Sequence, residues 1–162
     1  MPETARELTE MPSALRLETF LPYRLSVLSN TVSRALAEAY ADRYGLSINE
    51  WRVMAILGRF PGSSAAEVAD RAAMDKVAVS RAVSRLLEAG RVRRRTAAED
   101  RRRSVLELSA AGQRIHRRLT PVLLDYEDAL LAALSATERA QLDRILTRLT
   151  DEAAAIGPLR LE

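Results

Sequence analysis

Apolar side chains recur at Leu17, Leu21, Leu25, Leu28, Val32, Leu36 and Tyr40, steps of three and four that draw one continuous stripe along a long helix over 17–44. Gly45 stops it. Ser47 and Glu50 then stand in the pattern of a capping box, ahead of a second helix whose apolar positions are Trp51, Val53, Met54, Ile56 and Leu57. Pro61-Gly62 closes that helix. The same device returns at Ser64 and Glu67, opening a short helix with Ala65, Val68, Ala69 and Ala72 turned inward and ending near Met74. Asp75 is placed to cap a fourth helix, with Val79, Val83, Leu86 and Leu87 on one face and Gly90 suited to a left-handed end. Two short helices around a tight turn outline a helix-turn-helix.

Beyond Gly90 the period switches to that of a strand. Arg91-Val92-Arg93 and Val105-Leu106-Glu107-Leu108 predict a β-hairpin, with the charged stretch from Arg94 to Ser104 between its strands. Ser109 caps a long helix carrying Ile115, Leu119, Val122, Leu123, Tyr126, Leu130 and Leu134, in which Pro121 is expected to bend or interrupt the backbone bonding. A third capping box, Ser135 with Glu138, opens a last helix through Leu142, Ile145, Leu146 and Leu149. The expected fold class is mainly α with a small β-hairpin wing: a winged helix-turn-helix with long N- and C-terminal dimerisation helices. The chain then divides into a flexible N-terminus over 1–14, an N-terminal dimerisation helix over 15–45, a winged helix-turn-helix domain over 46–108 and C-terminal dimerisation helices over 109–162.

Composition narrows the chemistry. A chain of 162 residues supports one compact fold with a real core, and its apolar share of 48% beside 29% charged residues is a globular balance. No apolar run reaches membrane length and the opening MPETARELTEMPSAL is polar, so a cytoplasmic location is expected. There is no cysteine, which excludes disulfides and thiol redox switching. One histidine, His116, makes neither a metal site nor a catalytic arrangement alone, and no phosphate-cradling glycine loop accompanies it. Neither an enzyme nor a cofactor is expected.

Charge is unevenly spread. Between Asp75 and Arg103 lie ten basic residues against four acidic ones, so that segment carries +6 while the whole chain carries +3. A positive middle between slightly acidic arms is the footprint of a polyanion-binding module. On the fourth helix, Lys76, Val77, Ala78, Ser80, Arg81, Ser84 and Arg85 lie opposite the apolar face. Small residues there permit close approach to a major groove, Ser80 or Arg81 can meet base edges, and Arg85 can hold phosphate. Ser64, opening the preceding helix, joins this DNA-binding set. In the hairpin loop Arg101, Arg102 and Arg103 repel one another unless a polyanion such as a minor groove receives them, while Asp100 pairs with a neighbouring arginine and orients the wing.

Two stretches, AMDKVAVSRAVSRLLEAGRVRR and DRRRSVLELSAAG, resemble the MarR family of winged-helix regulators. The first is similar to the family's recognition helix and first wing strand. The second matches its wing signature at Asp100, Arg101, Arg102, Leu106, Leu108, Ser109 and Gly112. The resemblance implies a homodimer that presents two recognition helices to a pseudo-palindromic operator in double-stranded DNA. The apolar stripes agree, since they exceed what a small winged-helix core covers. The resemblance also raises release by a small aromatic carboxylate or phenolic effector, with Tyr23, Arg24, Trp51 and Arg52 as candidate ligand-binding residues. His116 is expected at an exposed or interface position. The predicted function is sequence-specific DNA binding by a dimeric repressor; the competing reading is a winged-helix protein-interaction or assembly module.

Overall fold

The computed structural model describes residues 15–96 and 104–158. Among the described residues, seven helices and two strands follow one another as α1 (Leu21–Glu38), α2 (Ala41–Tyr44), α3 (Ile48–Arg59), α4 (Ala65–Ala72), α5 (Lys76–Glu88), β1 (Val92–Thr96), β2 (Ser104–Leu108), α6 (Ala110–Leu131) and α7 (Ala136–Ile156). Backbone contacts divide the chain into two compact units, Met1–Gln113 and Arg114–Glu162.

All three predicted capping boxes form. At Ser47/Glu50, Ser64/Glu67 and Ser135/Glu138 the serine hydroxyl accepts from the glutamate N–H and the glutamate carboxylate accepts from the serine N–H. Each satisfies donors that a helix start otherwise leaves orphaned. Asp75 caps α5 by accepting from the N–H groups of Val77 and Ala78 at 2.9 and 3.1 Å. The other end of α5 closes through Gly90 at φ +66°, where Gly90 N–H bonds to the Leu87 carbonyl and Arg91 N–H to that of Leu86. That pairing is a Schellman ending, which favours glycine at its left-handed residue.

The first unit is organised around α3, α4, α5 and the hairpin. Val53, Met54 and Leu57 from α3, Val68 and Ala69 from α4, and Val79, Ala82, Val83 and Leu86 from α5 are buried together with Val92, Val105, Leu106 and Leu108. Fully burying side chains of this size contributes roughly 1.5–3 kcal/mol each. In the second unit, α7 has no buried residue, and Leu142, Ile145, Leu146, Leu149 and Ile156 are all exposed.

Several expectations need correction. Ala65, expected to turn inward, is exposed, and Leu134 lies past the end of α6. The single helix over 17–44 is two helices, α1 and α2. Pro22 sits in the first turn and sets the start of α1 at Leu21. Tyr40 breaks its other end at φ −127°, where it is 1% exposed and stacked on Trp51. The strands are also longer than expected: Arg94, Arg95, Thr96 and Ser104 belong to the ladder, in register Val92↔Leu108 through Thr96↔Ser104. Finally, Pro121 does not interrupt α6, which runs on to Leu131 as one helix.

Candidate nucleic-acid interface

The turn between α4 and α5 is made by Ala73, Met74 and Asp75. Ala73 takes a left-handed conformation, φ +48°, with its N–H on Asp70 and the Met74 N–H on Ala69. This closes α4 sharply and hands the chain to Asp75, the cap of α5.

The burial of α5 is one-sided. Val79, Ala82, Val83 and Leu86 are buried, whereas Lys76, Val77, Ser80, Arg81, Ser84 and Arg85 are exposed and Ala78 is half-buried. Val77 is 56% exposed, an apolar side chain on an otherwise polar face. Ser64 stands apart from this group: its hydroxyl is the N-cap of α4 and accepts from Glu67 N–H at 3.3 Å.

The wing is anchored at its base by contacts that sequence reasoning did not find. Ser63 forms a single bridge to Leu106, with Leu106 N–H on the Ser63 carbonyl at 2.9 Å and Gly62 N–H on the Leu106 carbonyl at 3.0 Å. The residues just after the Pro61-Gly62 stop thus add one bridging pair to the two-stranded sheet. Ser109 donates its hydroxyl to the Gly90 carbonyl at 2.6 Å and its N–H to the Arg91 carbonyl at 2.9 Å, while its hydroxyl oxygen accepts from Gly112 N–H. The end of α5, the root of the wing and the start of α6 are tied at one point.

The basic residues of this region divide by partner. Arg91 donates its guanidinium to the Tyr44 carbonyl at the end of α2. Arg93 and Arg95 share the Glu107 carboxylate at 3.0 and 3.3 Å. Partial desolvation pushes the Glu107 carboxyl up, but hydrogen bonds and charge from Arg95 and Arg93 outweigh it and hold the group below its ordinary value. Among the described residues Lys76, Arg81 and Arg85 have no ion pair. Asp100, Arg101, Arg102 and Arg103 lie outside the described residues.

A second feature lies between α1 and α3, a cleft of about 690 Å³ lined by Val27, Asn30, Ser33, Arg34, Ser47, Ile48, Asn49 and Arg52. Of the four residues anticipated for a ligand, Arg52 lines it and donates to Ser33 Oγ at 3.1 Å. Trp51 is turned to Tyr40, ring centroids 5.7 Å apart. Tyr23 and Arg24 are exposed on the first turns of α1. Arg34 had no mark in the sequence, because it lies off the apolar stripe and in no capping or turn pattern.

Known proteins share both sequence and architecture with this chain. The MarR family profile matches residues 44–103, from the end of α2 into the wing. An HTH-type transcriptional repressor of Mycobacterium bovis is 30% identical over 131 residues, covering 80% of this chain and 91% of the repressor. The chain belongs to the MarR family. The HTH-type transcriptional regulator BilQ of Clostridium symbiosum is 28% identical over 108 residues, 67% of this chain and 75% of BilQ. The PcaV transcriptional regulator of Streptomyces coelicolor, solved in complex with its natural ligand, superposes with a TM-score of 0.72 at 27% identity, over 88% of this chain and 99% of PcaV. A MarR/EmrR family regulator of Acinetobacter shares the fold at a TM-score of 0.80 and 24% identity, over 87% of this chain and 99% of its own. This MarR chain is accordingly a winged-helix DNA-binding transcriptional regulator and not an enzyme. No helix among its described residues is long and apolar enough to cross a membrane.

Proposed function

We propose that the chain is a cytoplasmic homodimeric repressor that occupies a pseudo-palindromic operator and is released by a small aromatic carboxylate or phenolic ligand. The observation that carries this reading is the split of α5 into a buried apolar face and an exposed face of Lys76, Val77, Ser80, Arg81, Ser84 and Arg85. Laid in a major groove, Ser80 or Arg81 meets base edges and Val77 meets a thymine methyl, with Ala78 allowing close approach. Lys76, Arg85 and Ser64 face the backbone phosphates, and Arg101, Arg102 and Arg103, oriented by Asp100, enter the neighbouring minor groove.

Dimerisation is supported by apolar surface that the single chain leaves open. On α1, Leu21, Tyr23, Leu25, Val27 and Leu28 are each 41–55% exposed, and the α7 face adds to them. The segments 15–45 and 109–162 act as the dimerisation helices around the DNA-binding domain of 46–108, since a self-complementary interface buries such surface at its two-fold axis.

The α1/α3 cleft is of a size that takes a small organic ligand. Arg34 and Arg52 hold its carboxylate, and Tyr23 and Arg24, one turn from Val27 on α1, close the rim. Trp51, stacked on Tyr40, steadies the helix that carries Arg52.

Selection of bound sequences from random duplexes, repeated with pooled aromatic acids, tests the proposal. A palindromic consensus whose recovery falls with the acids is expected. Recovery of no consensus, or a strictly monomeric chain at micromolar concentration, overturns it.

A further inference from the structure

We propose that Ser47 and Asn49 of α3 join Arg81 and Arg85 of α5 in a subsite for one backbone phosphate of duplex DNA, adding a third element to the nucleic-acid surface. The inference rests on the reading of α5 as the groove-facing helix. These four residues, with Ala78 and Ala82, line a recess of about 160 Å³ where α3 meets α5.

Its polar lining offers donors. Arg81 and Arg85 bring guanidinium N–H groups and Asn49 a carboxamide NH₂. The Ser47 oxygen already accepts from Glu50 N–H at 3.2 Å, which leaves its O–H to be donated elsewhere. The nearby carboxylate does not compete, because Glu50 is buried with its Oε2 turned back to Ser47 N–H at 2.7 Å. Two guanidinium groups one helical turn apart repel each other, and neither has a carboxylate within 4.0 Å among the described residues. An anion with several acceptor oxygens supplies the partner that this lining lacks.

The anion is a phosphodiester of the bound duplex. Arg81 and Arg85 belong both to the recess and to the exposed face of α5, so a group held there lies on a strand that α5 itself touches. The small side chains of Ala78 and Ala82 leave the recess open, and the backbone contact fixes the register in which Ser80 and Val77 meet the bases.

The test is a cycle between protein side chains and single operator phosphates, using the full-length protein and an operator selected as above. Asn49→Ala is expected to weaken operator and random duplex alike by about five- to tenfold, with its melting temperature and dimer mass unchanged. One phosphate per half-site, replaced by a neutral methylphosphonate, should weaken the wild type and cost the Asn49→Ala and Arg85→Ala proteins little more. Additive losses at every phosphate, or wild-type affinity in Asn49→Ala, would remove the subsite while leaving operator binding through α5 intact. Absence of duplex binding by the wild type would instead remove the reading on which it rests. An inorganic-phosphate melting shift that is lost in Asn49→Ala, without coupling to any operator phosphate, would assign the recess to free phosphate and overturn the proposal.

Discussion

The carbonyl oxygen of Arg91 occupies the space that a side chain at Gly112 would need: a Cβ there would stand 2.0 Å from it. The first turn of α6 therefore lies directly on the root of the wing, held by the Ser109 bonds to Gly90 and Arg91. The clash is with backbone, which cannot swing aside as a side chain can. Gly112→Ala is expected to lower unfolding free energy by about 3 kcal/mol, the upper range for overpacking. Urea titration checks this, with Gly45→Ala as the control. Gly45 has φ +58° but open space around its Cβ position, so its loss should be about 1 kcal/mol, from backbone strain alone.

Ala73 bears the opposite prediction. It is the one residue other than glycine with positive φ among the described residues, in the turn that aims α5. A left-handed alanine costs about 1–2 kcal/mol, and glycine removes that strain while adding some freedom to the unfolded chain. Ala73→Gly should raise stability by roughly 0.5–1 kcal/mol, read as a higher midpoint in the same titration. A lower midpoint would show that the turn carries no strain.

In the wing, Glu107 offsets both Arg93 and Arg95. Those arginines are largely exposed, so Glu107→Gln should change stability by no more than about 1 kcal/mol. It frees two cations near the duplex. Affinity for random DNA should rise and fall more steeply with salt than in the wild type, by up to about one unit of log–log slope per added phosphate contact. Fluorescence anisotropy over a salt series measures both.

His116 gives the pH prediction. Burial holds its pKa below the ordinary value of 6.5, so the unfolded chain binds the proton more readily than the folded one. Its contribution is fully present above pH 6.5 and is lost as pH falls through that value toward the lower folded pKa. Glu107 and Glu138 are held below 4.5 and do not titrate in this range. As His116 is the only histidine, stability should decline from about pH 7.5 to 5.5, and His116→Gln should flatten that slope.

What could be read from the chain follows the range of the interactions involved. The capping boxes at Ser47, Ser64 and Ser135 are settled within three residues, so local sequence specifies them. The exposed face of α5 was legible as the complement of Val79, Val83 and Leu86. Features set by distant partners were not. Tyr40 keeps the helical spacing of the stripe, yet stacking on Trp51 and burial break the helix there. Arg94 and Arg95 show no strand alternation; the ladder to Leu106 and Val105 and the shared Glu107 make them strand. Ser63 finds Leu106 across the sheet with no local mark, and the cleft with Arg34 exists only where α1 passes the start of α3.

Operator recognition depends above all on the exposed face of α5 reading bases. Competition anisotropy with the selected operator and a scrambled duplex, for wild type and Ser80→Ala, isolates a base contact from the phosphate contacts of Arg81 and Arg85. An operator-affinity loss of about 1 kcal/mol, roughly fivefold, is expected, with a much smaller loss on the scrambled duplex. Equal losses on both, or no loss on either, would contradict it.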